Sequence, residues 1–515
     1  MITPEETLKK FHNAVGSKGR LAFFAAFVTG LLTHLVILTS DIPNHDGLAS
    51  MYFDQNMITS GRWFLGAACA PTSFYALPWL IGLVALIYIG LAAMVLRSIL
   101  KIEEPLLVVL SSALIAVFPS LASNFAYVFT MDGYMLGMLL CVIAVRAVGA
   151  NEKFGWIAGA VLLAFGMGCY QAYIAIAMLL CIYKACEILF EEETPGKKAV
   201  KIGKYAGMGI CGTLLYYVLL KILLVIQGKE LDTYQGINGM SSGNGLGLVG
   251  TVKTMYTDFL SFTFGSRVVI SNVLTGIALA LLFTVALVSF IRLAAEKGMF
   301  KKPLFYVFAA LVLMALPCVM NAILLISASV NYHVLMRYQW AFLIVLLPAI
   351  IGRCGKKDTL AVGGLWATTI SMAVICLSYM VTDNIAYSNL QKKYEKTYAY
   401  CLRLADRIEQ TEGYYEGIPV AMVGVVGNES YPTTDITDAV TADLLGISGD
   451  YLIYKSENYE QFFRYYLGIT FNMVSSDKVV DFYDEDFYAN MSSFPGEDSV
   501  LLHDGVIYVK TENRR

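Results

Sequence analysis

Residues 21–38 read LAFFAAFVTGLLTHLVIL, an apolar run without a single Asp, Glu, Lys or Arg. As a helix rising 1.5 Å per residue it is about 27 Å long, close to the ~30 Å of hydrocarbon in a bilayer. The twenty residues before it are polar and carry Lys9, Lys10, Lys18 and Arg20, and no small-residue cleavage site follows the run. The run therefore reads as an uncleaved first span, with residues 1–20 in the cytoplasm.

The rest of the chain extends that reading. Of its 515 residues 57% are hydrophobic and 15% charged, far more apolar than a soluble domain, so a bilayer is the expected solvent. Further apolar segments fall at about 77–96, 105–121, 133–149, 155–170, 172–189, 203–226, 268–292, 304–326, 338–352 and 360–381. With the first run they make about eleven transmembrane helices within residues 21–382. Residues 154–190 are too long for one span and are split at Tyr170 and Gln171. Most of the ten cysteines lie inside these runs and no CxxC pair occurs, which suits small apolar fillers better than disulfides or metal ligands. A net charge of −3 gives no support to a nucleic-acid partner.

Charge placement orients the bundle. Alternate loops carry Arg97 and Lys101, Arg146 and Lys153, Lys197 with Lys198, Lys201 and Lys204, Arg292 with Lys297, Lys301 and Lys302, and Arg353 with Lys356 and Lys357. The other loops up to residue 382 hold only Arg62, Lys229, Lys253, Arg267 and Arg337. Short cytoplasmic loops collect Lys and Arg, so the first set is inside, and an odd number of spans leaves the C-terminus outside. Residues 383–515 are richer in charge. A helical pattern over 384–410 and strand-like runs at 418–426, 451–454 and 499–509 predict a small extracytoplasmic α/β domain.

Two outer loops, 40–76 and 227–267, are long for a compact bundle. In the first, Leu48, Met51, Tyr52 and Ile58 share a helical face, which predicts a helix lying in the headgroup plane and ending at Gly61, Arg62 and Trp63. In the second, a Gly/Ser/Asn-rich stretch from Gly236 to Gly250 precedes Val252, Met255, Tyr256, Phe259 and Phe262. This suits a lid hinged on an interfacial helix, and equally a plain surface loop.

Ionisable groups at the ends of spans are candidates for chemistry because their burial in lipid is costly. Asp41, Asp46 and Asp132 are expected at the same height above one leaflet. A carboxylate is a weak base in water, and partial desolvation beside a like charge would fit it to take a proton from an attacking hydroxyl. Placement favours Asp46 as base, with Asp132 or Asp41 as its companion; the plain alternative is solvated helix caps. Arg337, at the start of the tenth span, offers a guanidinium fork for a lipid-linked phosphate and equally suits snorkelling to headgroups; Lys221 and Arg62 are further cations, Lys221 suiting snorkelling slightly better and Arg62 also suiting an anchor of the interfacial helix. Asn44, His45, Trp63, Tyr134, Tyr170 and Gln171 are expected to line the pocket, although Trp63 also suits an anchor and Tyr170 and Gln171 a satisfied helix break. No P-loop, GxGxxG, HExxH or Cys/His cluster occurs, so no metal ligands are assigned.

The segments Asn44-His45-Asp46-Gly47, Gly61-Arg62-Trp63, Thr130-Met131-Asp132-Gly133-Tyr134-Met135 and Tyr170-Gln171-Ala172-Tyr173, in this order, resemble the bacterial Gtr-type glucosyltransferases that decorate O-antigen or other surface polysaccharide. The resemblance covers roughly residues 20–390. It implies a GT-C architecture, a polyprenyl-phosphate glucose (or other hexose) donor, a surface-glycan acceptor and the bacterial cytoplasmic membrane as location. It implies direct, inverting transfer and leaves a divalent cation open. Members often carry a second acidic residue after the position of Asp46, where this chain has Gly47, so Asp41 and Asp132 both remain candidates for the second carboxylate. A lipid-linked glycan flippase or transporter would instead need mid-bilayer polar groups and paired repeats, and a surface polysaccharide polymerase or ligase shares the outer-loop chemistry.

Overall fold

The computed structural model describes residues 3–43, 45–49, 51–72, 74–232, 247–326, 330–354, 358–423, 444, 447, 452–453, 455–479, 481–482 and 485–511. Asn44 and most of the Gly/Ser/Asn-rich stretch between 236 and 250 lie outside them.

Helix α1 (Pro4–Thr39) opens with a capping box between Thr3 and Glu6 and kinks at Gly16, whose φ of +68° is open to glycine at no steric cost. Short α2 (His45–Ala49) and α3 (Leu65–Cys69) follow, then α4 (Pro78–Leu100) and α5 (Pro105–Val117). The segment expected to run to residue 121 breaks at Phe118, because Pro119 forces the residue before it out of helical backbone; α6 (Ser120–Phe125) restarts beyond it. Helices α7 (Met131–Val148), α8 (Gly155–Cys169) and α9 (Ile174–Leu189) come next, the last two separated by an extended Tyr170 where the sequence placed the split. The bundle continues with α10 (Pro195–Gln227), α11 (Gly247–Gly265), α12 (Val273–Glu296), α13 (Pro303–Met320), α14 (Ile323–Ile326), α15 (Gln339–Gly352) and α16 (Thr359–Glu409).

Among the described residues eight helices are long and apolar enough to cross a membrane, and α5, α8 and α15 are shorter apolar helices. Large side chains stand exposed on α10, α12 and α13, among them Val225, Phe283 and Leu313, each more than half exposed. Hydrocarbon is the solvent that makes such faces stable. At one end of the bundle the buried carboxylate of Glu187 on α9 binds Lys184, Lys101 at 2.7 Å and Arg353 at 2.9 Å, fastening α4, α9 and α15 together. The opposite end carries the loop 40–76.

Helix α16 has 51 residues and is about 76 Å long, more than twice the hydrocarbon thickness. The span and the separate helix expected after it are one element, because residues 365–409 contain neither Gly nor Pro to stop it. Its last turns pack on a four-stranded sheet of order β2-β1-β4-β3, made of β1 (Pro419–Val423), β2 (Asn472–Met473), β3 (Val500–His503) and β4 (Val506–Lys510). β1 is parallel to both neighbours. The run 499–509 is a hairpin rather than one strand, turning at Asp504 and Gly505, both with positive φ. Ile418, Val420, Met422, Ile507 and Val509 bury against Cys401, Leu404 and Ile408 of α16.

The headgroup-plane helix expected in the first loop is absent. Among the described residues of 45–60 only α2 and the single turn Ile58–Ser60 are helical, and the side chains meant for one face diverge: Leu48 enters the core beneath the C-terminal sheet, Tyr52 pairs with Tyr75, and Ile58 enters the bundle core. In the second loop α11 does form, with Met255 and Phe262 buried against α13, α14 and Trp340.

Candidate active site

The first loop is shaped by one glycine. Gly61 has φ +79° and caps the turn Ile58–Ser60, and a Cβ there would stand 2.4 Å from Gln171 Nε2 and 2.8 Å from the Tyr216 hydroxyl. Gln171 Nε2 donates to the carbonyl of Ser60 at 2.8 Å, and Tyr216 donates to that of Gly61 at 2.9 Å. Gln171 is thus a clamp, which corrects its expected place in the pocket lining: its amide is spent on backbone that must be satisfied away from water. Trp63 packs edge-on against Phe165 at 5.2 Å and lies over Gly168, as an anchor does.

The clamp aims Arg62 inward. Its Nη1 donates to the hydroxyl of Tyr134 at 2.8 Å, and its guanidinium lies 5.1 Å from the Tyr170 ring. Tyr134 and Tyr170 stack at 4.3 Å, and Tyr173 meets Tyr170 edge-on at 5.2 Å. Asp46 is within electrostatic reach of Tyr134. Its own side chain is 57% exposed, 3.5 Å from Nε2 of His45.

Asp132 is only 1% exposed. It accepts from Thr72 Oγ1 at 2.9 Å and from the Gly133 amide at 2.8 Å, and the Cys69 thiol lies against it. The two carboxylates expected to face one hollow therefore differ: Asp46 is open to solvent, and Asp132 is closed beneath the loop, fixing α3 and Thr72 to the start of α7. The desolvation invoked for the base falls on Asp132 instead. Asp41 is turned toward the C-terminal region. Desolvation there raises its pKa, and the Tyr466 hydroxyl, which donates to it, draws it part of the way back.

The cations are also redistributed. Arg337 is 7% exposed, and its fork holds Asp258 of α11 in two contacts of 2.6 and 2.8 Å. Tyr332 lies 3.8 Å and Phe262 4.4 Å from the guanidinium. Arg337 is therefore a neutralised buried pair, and not the bare phosphate-binding cation expected. Lys221 is exposed, its Nζ 5.5 Å from the Tyr217 ring on its own helix, in line with snorkelling. Sequence reasoning missed Asp258, although an acid on the apolar face of α11 was a visible sign. It also missed His34, which is wholly buried with Nε2 2.8 Å from the Ala116 carbonyl and Nδ1 2.6 Å from the Tyr387 hydroxyl. Asp383, one turn before Tyr387, is wholly buried as well.

A cavity of about 720 Å³ opens between α8, α9, α10 and α13–α14, walled by residues such as Leu163, Met178, Ile182, Met208 and Ile326. It follows α9 from Ile174 to Ala185, about 16 Å. At its rim Ile326 packs in the same small cluster as Tyr332 and Met255. Among the described residues no three His, Cys, Asp or Glu side chains gather to hold a metal ion.

Residues 35–348, more than half of the chain, match the family model described as Glucosyl transferase GtrII. The matched stretch contains the Gly61 clamp, the Arg62–tyrosine stack, Asp46 and Asp132. No curated protein and no solved structure matches the chain. The chain belongs to the GtrII glucosyltransferase family.

Proposed function

We propose that the protein transfers glucose from a polyprenyl-phosphate donor to a surface glycan on the outer face of a bacterial cytoplasmic membrane. The observation that carries this reading is the grouping of Asp46, His45, Arg62 and Tyr134 at one end of an apolar bundle, within the stretch that matches a glucosyltransferase family. The excess of Lys and Arg in the loops at the other end supports an outward-facing site.

Asp46, solvent-facing, accepts the proton of an acceptor hydroxyl while that oxygen bonds to the anomeric carbon of the donor. The bond from that carbon to the phosphate oxygen breaks on the opposite side, inverting the anomeric centre. Arg62 holds the departing phosphate, its guanidinium kept in place by the stacked faces of Tyr134 and Tyr170. Asp132 acts on the loop, and so positions these groups rather than touching substrate. The 720 Å³ apolar cavity, open along the bundle wall, suits the donor's isoprenoid chain.

The test is a reconstitution of the full chain in proteoliposomes with labelled polyprenyl-phosphate glucose and the polysaccharide released from the cell surface by mild acid. Label in the polysaccharide with inverted linkage is the expected result. Movement of intact donor across the bilayer without bond cleavage would show a transporter instead.

A further inference from the structure

The loop that carries the proposed base is built jointly with the C-terminal region. Leu48, two residues after Asp46, is 1% exposed and lies in one core with Leu404, Val420, Phe462 and Ile507. Asn458, 6% exposed, donates from Nδ2 to the carbonyl of His45 at 3.2 Å, and its Oδ1 is buried without a partner among the described residues. Asp41, at the start of the same loop, accepts from Tyr466 and lies within electrostatic reach of Tyr394. Three separate contacts thus join residues 41–48 to the segment 456–467.

That segment has an unusual backbone. The helix Ser456–Phe462 widens into a π-helical turn at Phe463–Leu467, closed by Gly468 with φ +70°. Such turns are rare and are frequent at functional sites. Here the turn places Tyr466 against Phe462, stacked at 5.0 Å, and against Tyr394 at 5.9 Å, while its neighbour Tyr465 stands 53% exposed. Core packing accounts for Tyr466 and Phe462 but not for Tyr465. Tyr465 presents an exposed ring on the turn whose next residue holds Asp41, itself exposed, and such a ring and carboxylate on one turn suit a sugar, whose C–H face lies on a ring while its hydroxyls donate to an acid.

We infer that the turn Phe463–Leu467, with Tyr465, Tyr466 and Asp41, is a binding site for the acceptor glycan, holding sugars next to the one that enters the Asp46 site. This inference rests on the glucosyl-transfer reading for the identity of the glycan, but its binding step needs no donor. Asn458 acts as a positioning residue, fixing the His45–Asp46 backbone to the same turn.

The test is calorimetric binding of the mild-acid-released surface polysaccharide to the full-length, detergent-solubilised protein without donor. Asp41→Asn and Tyr465→Ala are each expected to weaken binding at least fivefold, and Tyr465→Phe, which keeps the ring, to stay within twofold of the unaltered protein. Equal binding by all variants, or no binding by the unaltered protein, overturns the site. Loss of binding in Tyr465→Phe as great as in Tyr465→Ala also overturns it, since stacking would then not be the cause. If the polysaccharide binds but no glucose is ever transferred, the glycan site stands and the proposed reaction fails.

Discussion

Arg62 is the side chain on which the chemistry of the site turns, because it is the cation lying beside the stacked pair Tyr134 and Tyr170, 5.7 and 5.1 Å from their ring centres, and within a hydrogen bond of Tyr134. A lysine there keeps the charge but loses the planar fork and the stacking. A hydrogen bond to a charged group is worth about 1.5–3 kcal/mol, so Arg62→Lys is expected to lower kcat/KM for the donor by roughly ten- to a hundredfold. Tyr134→Phe removes only the hydroxyl that accepts from this guanidinium and is expected to cost about 1.5 kcal/mol, or roughly tenfold. Steady-state kinetics at varied donor checks both, and an unchanged Arg62→Lys would remove the phosphate role. The resemblance carried Arg62 and Tyr134 in separate motifs. Their contact was not visible, because 72 residues separate them and no spacing rule connects a loop to a helix start. Arg337 shows the converse. Its charge was plain in the sequence, but the acid that neutralises it lies 79 residues earlier.

Among the elements, the turn before Arg62 and the helix α11 are each fixed by one arrangement. Gly61→Ala meets both a left-handed φ and side-chain atoms closer than contact distance, whereas Gly228, also left-handed at φ +60°, has open space around its Cα. Gly228→Ala is expected to cost about 1 kcal/mol, and Gly61→Ala at least about 1 kcal/mol more with loss of transfer. Comparing the two by thermal unfolding isolates the clamp from backbone strain. Asp258→Asn leaves a buried guanidinium without its counter-charge, for which about 3–5 kcal/mol is expected. Asp258→Leu combined with Arg337→Met is expected to recover most of that loss. Failure to recover would mean that the pair has a function beyond holding α11. The amphipathic pattern did reveal α11. The same kind of pattern misled for residues 48–58, because spacing shows which residues share a face but not that two different cores will claim Leu48 and Ile58 while Tyr52 stays exposed.

At the scale of the molecule, the apolar runs marked out the bundle because hydrocarbon length imposes a strong constraint on each helix. In the C-terminal region the helix and the runs at 418–426 and 499–509 were legible, whereas the described residues 452–453 of the run 451–454 lie in no strand and two-residue β2 is too short to show a pattern. Its seat on the Asp46 loop was not, since parallel pairing and the docking of Leu48 are contacts between distant segments. Leu48→Ala is expected to destabilise that seat by about 2–5 kcal/mol. Faster limited proteolysis of the C-terminal region, with the bundle intact, is the readout; unchanged cleavage would mean that the loop and sheet are held together elsewhere. The proposed reaction turns finally on Asp46 as the group that takes the acceptor's proton. The most direct measurement is the transfer rate of Asp46→Asn against the unaltered protein, at saturating donor and glycan. General-base catalysis contributes about 10²–10⁴-fold, and a drop of that size with donor binding preserved is the expected result. Transfer at the unaltered rate would contradict it.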